Sequence, residues 1–159
     1  MIKKHLHIVL LLVFLALGVG IWSLPKKPSK GVVNTESELQ SKVKKAIALV
    51  QYGKQPMQGI GLLREVLQED PQNQEALYHL GVFSVQSNQW SNGVERFDEL
   101  YKLGKFSDFE DAYYYQALCY ASLDSLDRAK IILEEGLEIA KDSSLKETLS
   151  QFRNTIINL

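Results

Sequence analysis

One spacing constrains this chain more than any other property: glycine and apolar positions recur every 34 residues. Gly59, Leu63 and Val66 are followed one period later by Gly93, Phe97 and Leu100. A third set, Ala129, Leu133 and Gly136, stands 36 residues beyond the second. Leu77, Leu80 and Gly81 precede the second set, and Tyr113, Ala117 and Tyr120 precede the third. A repeat of this length is one helix–turn–helix unit that cannot bury its apolar face alone, so its copies must stack into a helical array. Arrays of this kind hold other molecules, and the period therefore predicts binding rather than catalysis.

The unit boundaries follow from breakers and apolar faces. Val43, Ala46, Ile47 and Val50 share one face of a helix expected to start near Glu36. Tyr52-Gly53-Lys54-Gln55-Pro56 ends it, and Pro56 suits the first position of the next helix, where its missing N–H needs no partner. Ile60, Leu63, Val66 and Leu67 line that helix, and Asp70-Pro71 closes the unit. The second unit runs from about Asn73 to Leu103, turning at Ser87-Asn88-Gln89, with Val94, Phe97 and Leu100 on its second helix. Glycine costs about 1 kcal/mol relative to alanine inside a helix. Gly81 and Gly93 are therefore expected where the two helices of this unit cross. A longer joint, Gly104 to Glu110, absorbs the two extra residues before the third unit, which turns at Asp124-Ser125. After Asp142-Ser143-Ser144 a last amphipathic helix carries Leu145, Leu149, Phe152, Ile156 and Leu159 on one side. It is expected to cover the apolar end of the array, which would otherwise cost about 25 cal/mol per Å² left in water.

Charge separates the chain into two parts. Residues 1–30 carry five lysines and no acid, whereas residues 31–159 carry 13 basic and 19 acidic side chains, a net −6. An acidic body argues against nucleic acid, whose phosphates need a basic face. Within the basic part, Leu6 to Trp22 is a run of 17 residues without a Lys, Arg, Asp or Glu. As a helix this run would span roughly 26 Å, the short end of a membrane crossing. Residues 1–24 are accordingly expected to be a single-pass signal anchor, with the membrane contacted through residues 6–22. A cleaved signal peptide is the rival reading. Against it, no small-x-small site follows the run: Gly18-Val19-Gly20 is the nearest, and the bulky Ile21-Trp22 comes next. Lysines flank the run on both sides, and the short N-terminal flank favours a body outside the cytoplasm. Residues 25–37, PKKPSKGVVNTES, have a flexible linker's composition.

The stretch Asp70-Pro71-Gln72-Asn73-Gln74-Glu75-Ala76-Leu77-Tyr78-His79-Leu80-Gly81, with Gly93, Phe97 and Leu100 behind it, resembles a tetratricopeptide repeat. The resemblance covers about residues 40–142 and implies an all-α solenoid of helical hairpins. Repeats would span about 40–72, 73–106 and 109–142, with a capping helix over 144–158, in a domain of residues 38–159. In the first repeat Ala46 and Ile47 replace the usual Leu-Gly; in the second, Ser84 stands where a large aromatic is usual, with Phe83 beside it. With its N-terminal run, the chain looks like the short membrane-anchored repeat proteins of bacterial envelopes. The resemblance further implies a concave groove lined by the first helix of each pair. Its positions fall on Lys44, Ala48, Gln51 and Tyr52, then Tyr78, Val82, Val85 and Gln86, then Asp111, Tyr114, Leu118 and Ser122. Such a lining suits an extended peptide or a partner helix. Some relatives in this family clamp a terminal carboxylate with Lys, Asn and Arg. Only Lys44 fits that pattern here, with Ala48, His79, Asp111 and Tyr115 at the other positions, so that specificity is not expected.

Simpler readings absorb the remaining candidates. Of Tyr113-Tyr114-Tyr115, helical geometry sends the rings apart, leaving Tyr113 for the core and Tyr114 for binding. His5, His7 and His79 lack partners at metal-ligand spacing. The single Cys119 is read as a semi-buried helix residue and Glu134-Glu135-Glu138 as a solvated face. No nucleophile motif or phosphate-binding glycine loop appears. The expectation is therefore a membrane-tethered, non-enzymatic module that holds a protein segment in its groove, with its body periplasmic. No cofactor, metal, nucleic acid or small-molecule substrate is expected. The alternative is a structural subunit of an envelope membrane complex, docked through its anchor and convex face.

Overall fold

Asn73 and Asp142 show why the helices begin where they do. The Asn73 side chain accepts a hydrogen bond from the Ala76 N–H at 3.0 Å. Asp142 accepts from the Ser144 and Leu145 N–H groups at 2.7 and 3.0 Å. Each thereby satisfies donors that a first helical turn leaves without partners. The structure, a computed structural model, describes residues 33–51 and 55–158. Seven helices and no strand occur among them: α1 Val33–Gln51, α2 Pro56–Glu69, α3 Gln74–Gln86, α4 Trp90–Gly104, α5 Ala112–Ser122, α6 Leu126–Ile139 and α7 Ser143–Ile157. Among the described residues, no helix is long and apolar enough to cross a membrane. The run Leu6–Trp22, linker residues 25–32, Tyr52 and Leu159 lie outside the described residues.

Three differences from the sequence reading have physical causes. First, α1 starts at Val33 rather than near Glu36, so the last five residues assigned to the linker are helical; no glycine or proline stands between Gly31 and Gly53 to prevent it. Second, Gly81 and Gly93 both lie at the α3–α4 contact, as expected, but Gly93, whose Cβ would lie 3.7 and 3.8 Å from Ser84 and Val85, is pressed more closely by α5. A Cβ on Gly81 would lie 2.7 Å from the Phe97 ring, within the α3–α4 pair, and one on Gly93 would lie 2.6 Å from Cys119 Sγ on α5. One glycine seats an aromatic ring; the other lets the next helix approach. Cys119 is fully rather than half buried, and burial pushes its thiol up to about 12, which makes it inert.

Third, the joint after α4 is a core element. Lys105 and Phe106 both adopt left-handed backbone angles, with φ of 51° and 55°. That conformation costs roughly 1–2 kcal/mol per residue for a side chain bearing a Cβ. Phe106 is buried and meets the rings of Phe97, Tyr101 and Tyr113 edge-on at 6.3, 5.5 and 4.9 Å. Burying such a ring contributes about 1.5–3 kcal/mol, and its aromatic pairs add about 0.5–1.5 kcal/mol each, enough to offset the strain. The Tyr113 hydroxyl also donates to the Lys105 carbonyl at 2.8 Å, fixing the bend.

The buried side chains fall into two clusters. One runs through α3 to α7 and includes Phe97, Phe106, Tyr113, Leu133, Leu149 and Ile156. The other joins Val43, Ala46, Ile60, Leu63 and Val66 of α1 and α2 to Ala76 and Leu80 of α3. Polar ties follow the same division. Asp98 on α4 accepts from Gln116 Nε2 at 2.7 Å and from the Tyr120 hydroxyl at 2.9 Å, both on α5. Glu135 on α6 accepts from the Tyr101 hydroxyl at 2.8 Å and from Lys105 Nζ at 2.9 Å. Glu135 is thus a fixed acceptor, while Glu134 and Glu138 are exposed. Among the described residues, no side-chain hydrogen bond or ion pair joins α1 or α2 to α3 or α4 beyond the Asp70–Asn73 turn. Lys42 pairs with Glu69, within the first pair.

Candidate protein-binding groove

The expected lining divides by helix. On α1, Lys44 and Ala48 are exposed; the side chain of Gln51 and all of Tyr52 are outside the described residues. On α3, Tyr78 and Val82 are half-buried and Gln86 is exposed. Val85 is a correction: it is 8 % exposed and packs in the α3–α7 core, because α3 carries a wider apolar face than a single stripe requires. On α5, Asp111, at its start, Tyr114 and Leu118 are half-buried and Ser122 is exposed.

The structure brings Tyr78 and Asp111 together. The Tyr78 hydroxyl donates to Asp111 Oδ2 at 2.6 Å, linking α3 to the start of α5. Burial first, and then this bond to a carboxylate, holds the phenol well above its ordinary range. The Tyr78 ring stacks on Phe109 at 4.6 Å with 20° between planes and meets His79 edge-on at 5.0 Å. Tyr114 lies 5.5 Å from Phe152 of α7 and 5.6 Å from Tyr115. Each tyrosine is also held by one aromatic neighbour that the sequence reading did not assign to this region, Phe109 for Tyr78 and Phe152 for Tyr114. Phe109 sits in a joint with no periodicity, and Phe152 is on a helix expected only to cover the end.

A cleft of about 320 Å³ opens between α1 and α3. Its walls are Ile47 and Val50 of α1, Leu63 of α2, and Val82 and Phe83 of α3, with His79 and Gln86 as the polar groups. A second cleft, of about 310 Å³, lies on the other side of Phe83 and reaches Ser84, Arg64 and Arg96. Ser84 turns its hydroxyl back to the Leu80 carbonyl at 2.8 Å and fills little of that space. The joint between α1–α2 and α3–α4 is thus flanked by open volume on both sides, where the α3–α5 joint is closed by Tyr78 and Asp111.

His79 is half-buried in the first cleft. Burial lowers its affinity for a proton below the ordinary histidine range, against a smaller opposing pull from Glu75 and Asp111. The unfolded chain then binds that proton more readily than the folded one. Stability present above the ordinary value of about 6.5 is therefore lost as pH falls through it. His79→Gln should flatten the fall in melting temperature between about pH 7.5 and about pH 5.5. An unchanged fall in the variant would assign the effect to other groups.

Comparison with known proteins gives one family. Residues 111–135 match the model of the tetratricopeptide repeat, a stretch that takes in α5 and most of α6. No curated protein matches the chain.

Proposed function

We propose that this chain is a membrane-tethered interaction module that holds a segment of a partner protein against the faces of α1, α3 and α5. The observation that carries the reading is the family match at residues 111–135, which covers the helix bearing Tyr114, Leu118 and Ser122 and begins at Asp111. Tetratricopeptide repeats are protein-interaction units, and the half-buried Tyr78, Val82, Tyr114 and Leu118 offer the mixed surface that a peptide or helix needs. A groove of this size suits micromolar binding, about −8 kcal/mol. Tethering is supported by the apolar run Leu6–Trp22 with its flanking lysines, and the short N-terminal flank favours a body facing away from the cytoplasm.

Crosslinking the full-length chain in its native membranes, followed by identification of the captured proteins, tests both parts. The chain should sediment with membranes, and a form lacking residues 1–30 should not. Capture should persist when a surface position on α6, such as Ile131, is changed to serine and be lost with Leu118→Lys. Capture that survives Leu118→Lys but not Ile131→Ser would move the binding surface off the groove.

A further inference from the structure

We propose that the cleft between α1 and α3 receives one bulky apolar side chain of the partner, and that basic residues flank this side chain in the partner's sequence. The proposal rests on the groove reading and names the chemistry of what the groove holds. Size is the first argument. Small-molecule sites occupy about 300–1,000 Å³, so about 320 Å³ is the bottom of that range and suits a single large side chain. Lining is the second. Ile47, Val50, Leu63, Val82 and Phe83 supply apolar walls on three helices, and His79 and Gln86 can meet the partner's backbone at the rim. Among the described residues, no polar side chain of α1 or α2 ties this joint to α3 or α4 beyond the Asp70–Asn73 turn.

Charge decides what surrounds that side chain. Two carboxylates stand near His79: Glu75, one helical turn earlier on α3, and Asp111, at the start of α5, on the hydroxyl of the adjacent Tyr78. Asp111 is held in place by the Tyr78 hydroxyl. The exposed Lys44 and Lys45 stand on α1, the opposite wall. Residues 31–159 carry a net −6. Basic residues of a partner segment would therefore run over α3 and α5, with the apolar side chain directed into the gap beside α1. An acidic segment would face the two carboxylates and be repelled.

The test uses full-length protein in phosphatidylcholine nanodiscs and four short fluorescein-labelled peptides, with empty nanodiscs as the blank. The peptides share a helical scaffold and carry phenylalanine or alanine at the centre, flanked by lysines or by glutamates. Fluorescence polarisation should show the lysine-flanked phenylalanine peptide binding at least about tenfold tighter than each of the other three. Val82→Trp, which fills the cleft, and Gln86→Trp, which covers its mouth from an exposed position, should each abolish the preference for phenylalanine over alanine. Melting curves confirm that each variant is folded. Equal binding of the phenylalanine and alanine peptides, a preference that survives Gln86→Trp in folded protein, or equal binding of the glutamate-flanked peptide overturns the proposal. If the partner captured in membranes is lost with Leu118→Lys but retained with Gln86→Trp, the cleft is wrong and the groove stands.

Discussion

Phe97→Ala is expected to destabilise the folded chain by about 3–5 kcal/mol. Phe97 is fully buried, is seated against Gly81, stacks on Tyr115 at 6.3 Å and meets Phe106 edge-on. It therefore holds α4 to α3, to α5 and to the bend after α4 at once. Removing the ring loses its transfer free energy and leaves a cavity that the surrounding helices cannot close, because Phe106 is fixed by its backbone bend. Against a total stability of about 5–15 kcal/mol for a domain, this is a large fraction. The melting temperature should fall by roughly 10–20 °C. A fall of less than about 3 °C would mean that the α3–α7 core is not the single packed unit described above.

Gly59 and Gly61, two residues apart on α2, should respond to the same substitution with opposite signs. Glycine to alanine inside a helix ordinarily stabilises by about 1 kcal/mol. At Gly61 nothing lies within 4 Å of the added Cβ, so Gly61→Ala should gain about that amount. At Gly59 the Cβ would lie 2.6 Å from the Ala46 carbonyl oxygen and 2.7 Å from Val50 Cγ2. Backbone cannot yield as a flexible side chain does, so α1 must shift away. Overpacking of this kind costs about 1–3 kcal/mol or more, which exceeds the gain in propensity. Chemical denaturation of the two variants should place them about 1–3 kcal/mol apart, with the wild type between them. Gly59→Ala at or above wild-type stability would show that α1 does not pack on α2 through this glycine.

The period in the sequence was legible because it records burial. Leu63, Phe97 and Leu133, one position in three copies, are all at most 1 % exposed, as are Val66 and Leu100. Pro56, Asn73 and Asp142 mark helix starts through local chemistry that needs no tertiary context. The left-handed Asn88 and Asp124 likewise close the α3–α4 and α5–α6 turns, since these residue types tolerate that conformation. What the sequence hid depends on distant partners. Phe106 and Phe109 lie in a joint without periodicity, yet one is core and the other supports Tyr78. Glu135 and Asp98 look like solvated acids until tyrosines from a neighbouring helix find them. The groove positions were placed by resemblance, and Val85 fell inward because the resemblance gives register and not the width of the apolar face. The cleft beside Phe83 could not be read at all, since it is defined by what Ile47 and Ser84 fail to fill.

Tyr78 and Tyr114 are tied into the fold, so replacing them would test stability and binding together. Leu118 also packs against the core but makes no side-chain hydrogen bond, so its substitution probes the groove provided that folding is checked alongside. The direct measurement is the dissociation constant of the membrane-captured partner for full-length chain in nanodiscs, compared between wild type and Leu118→Lys. Binding at least about tenfold weaker in the variant, with its melting temperature within about 3 °C of wild type, is the result expected of a groove formed by α3 and α5. A dissociation constant within about twofold of wild type in folded protein would contradict it and place the partner elsewhere on the chain.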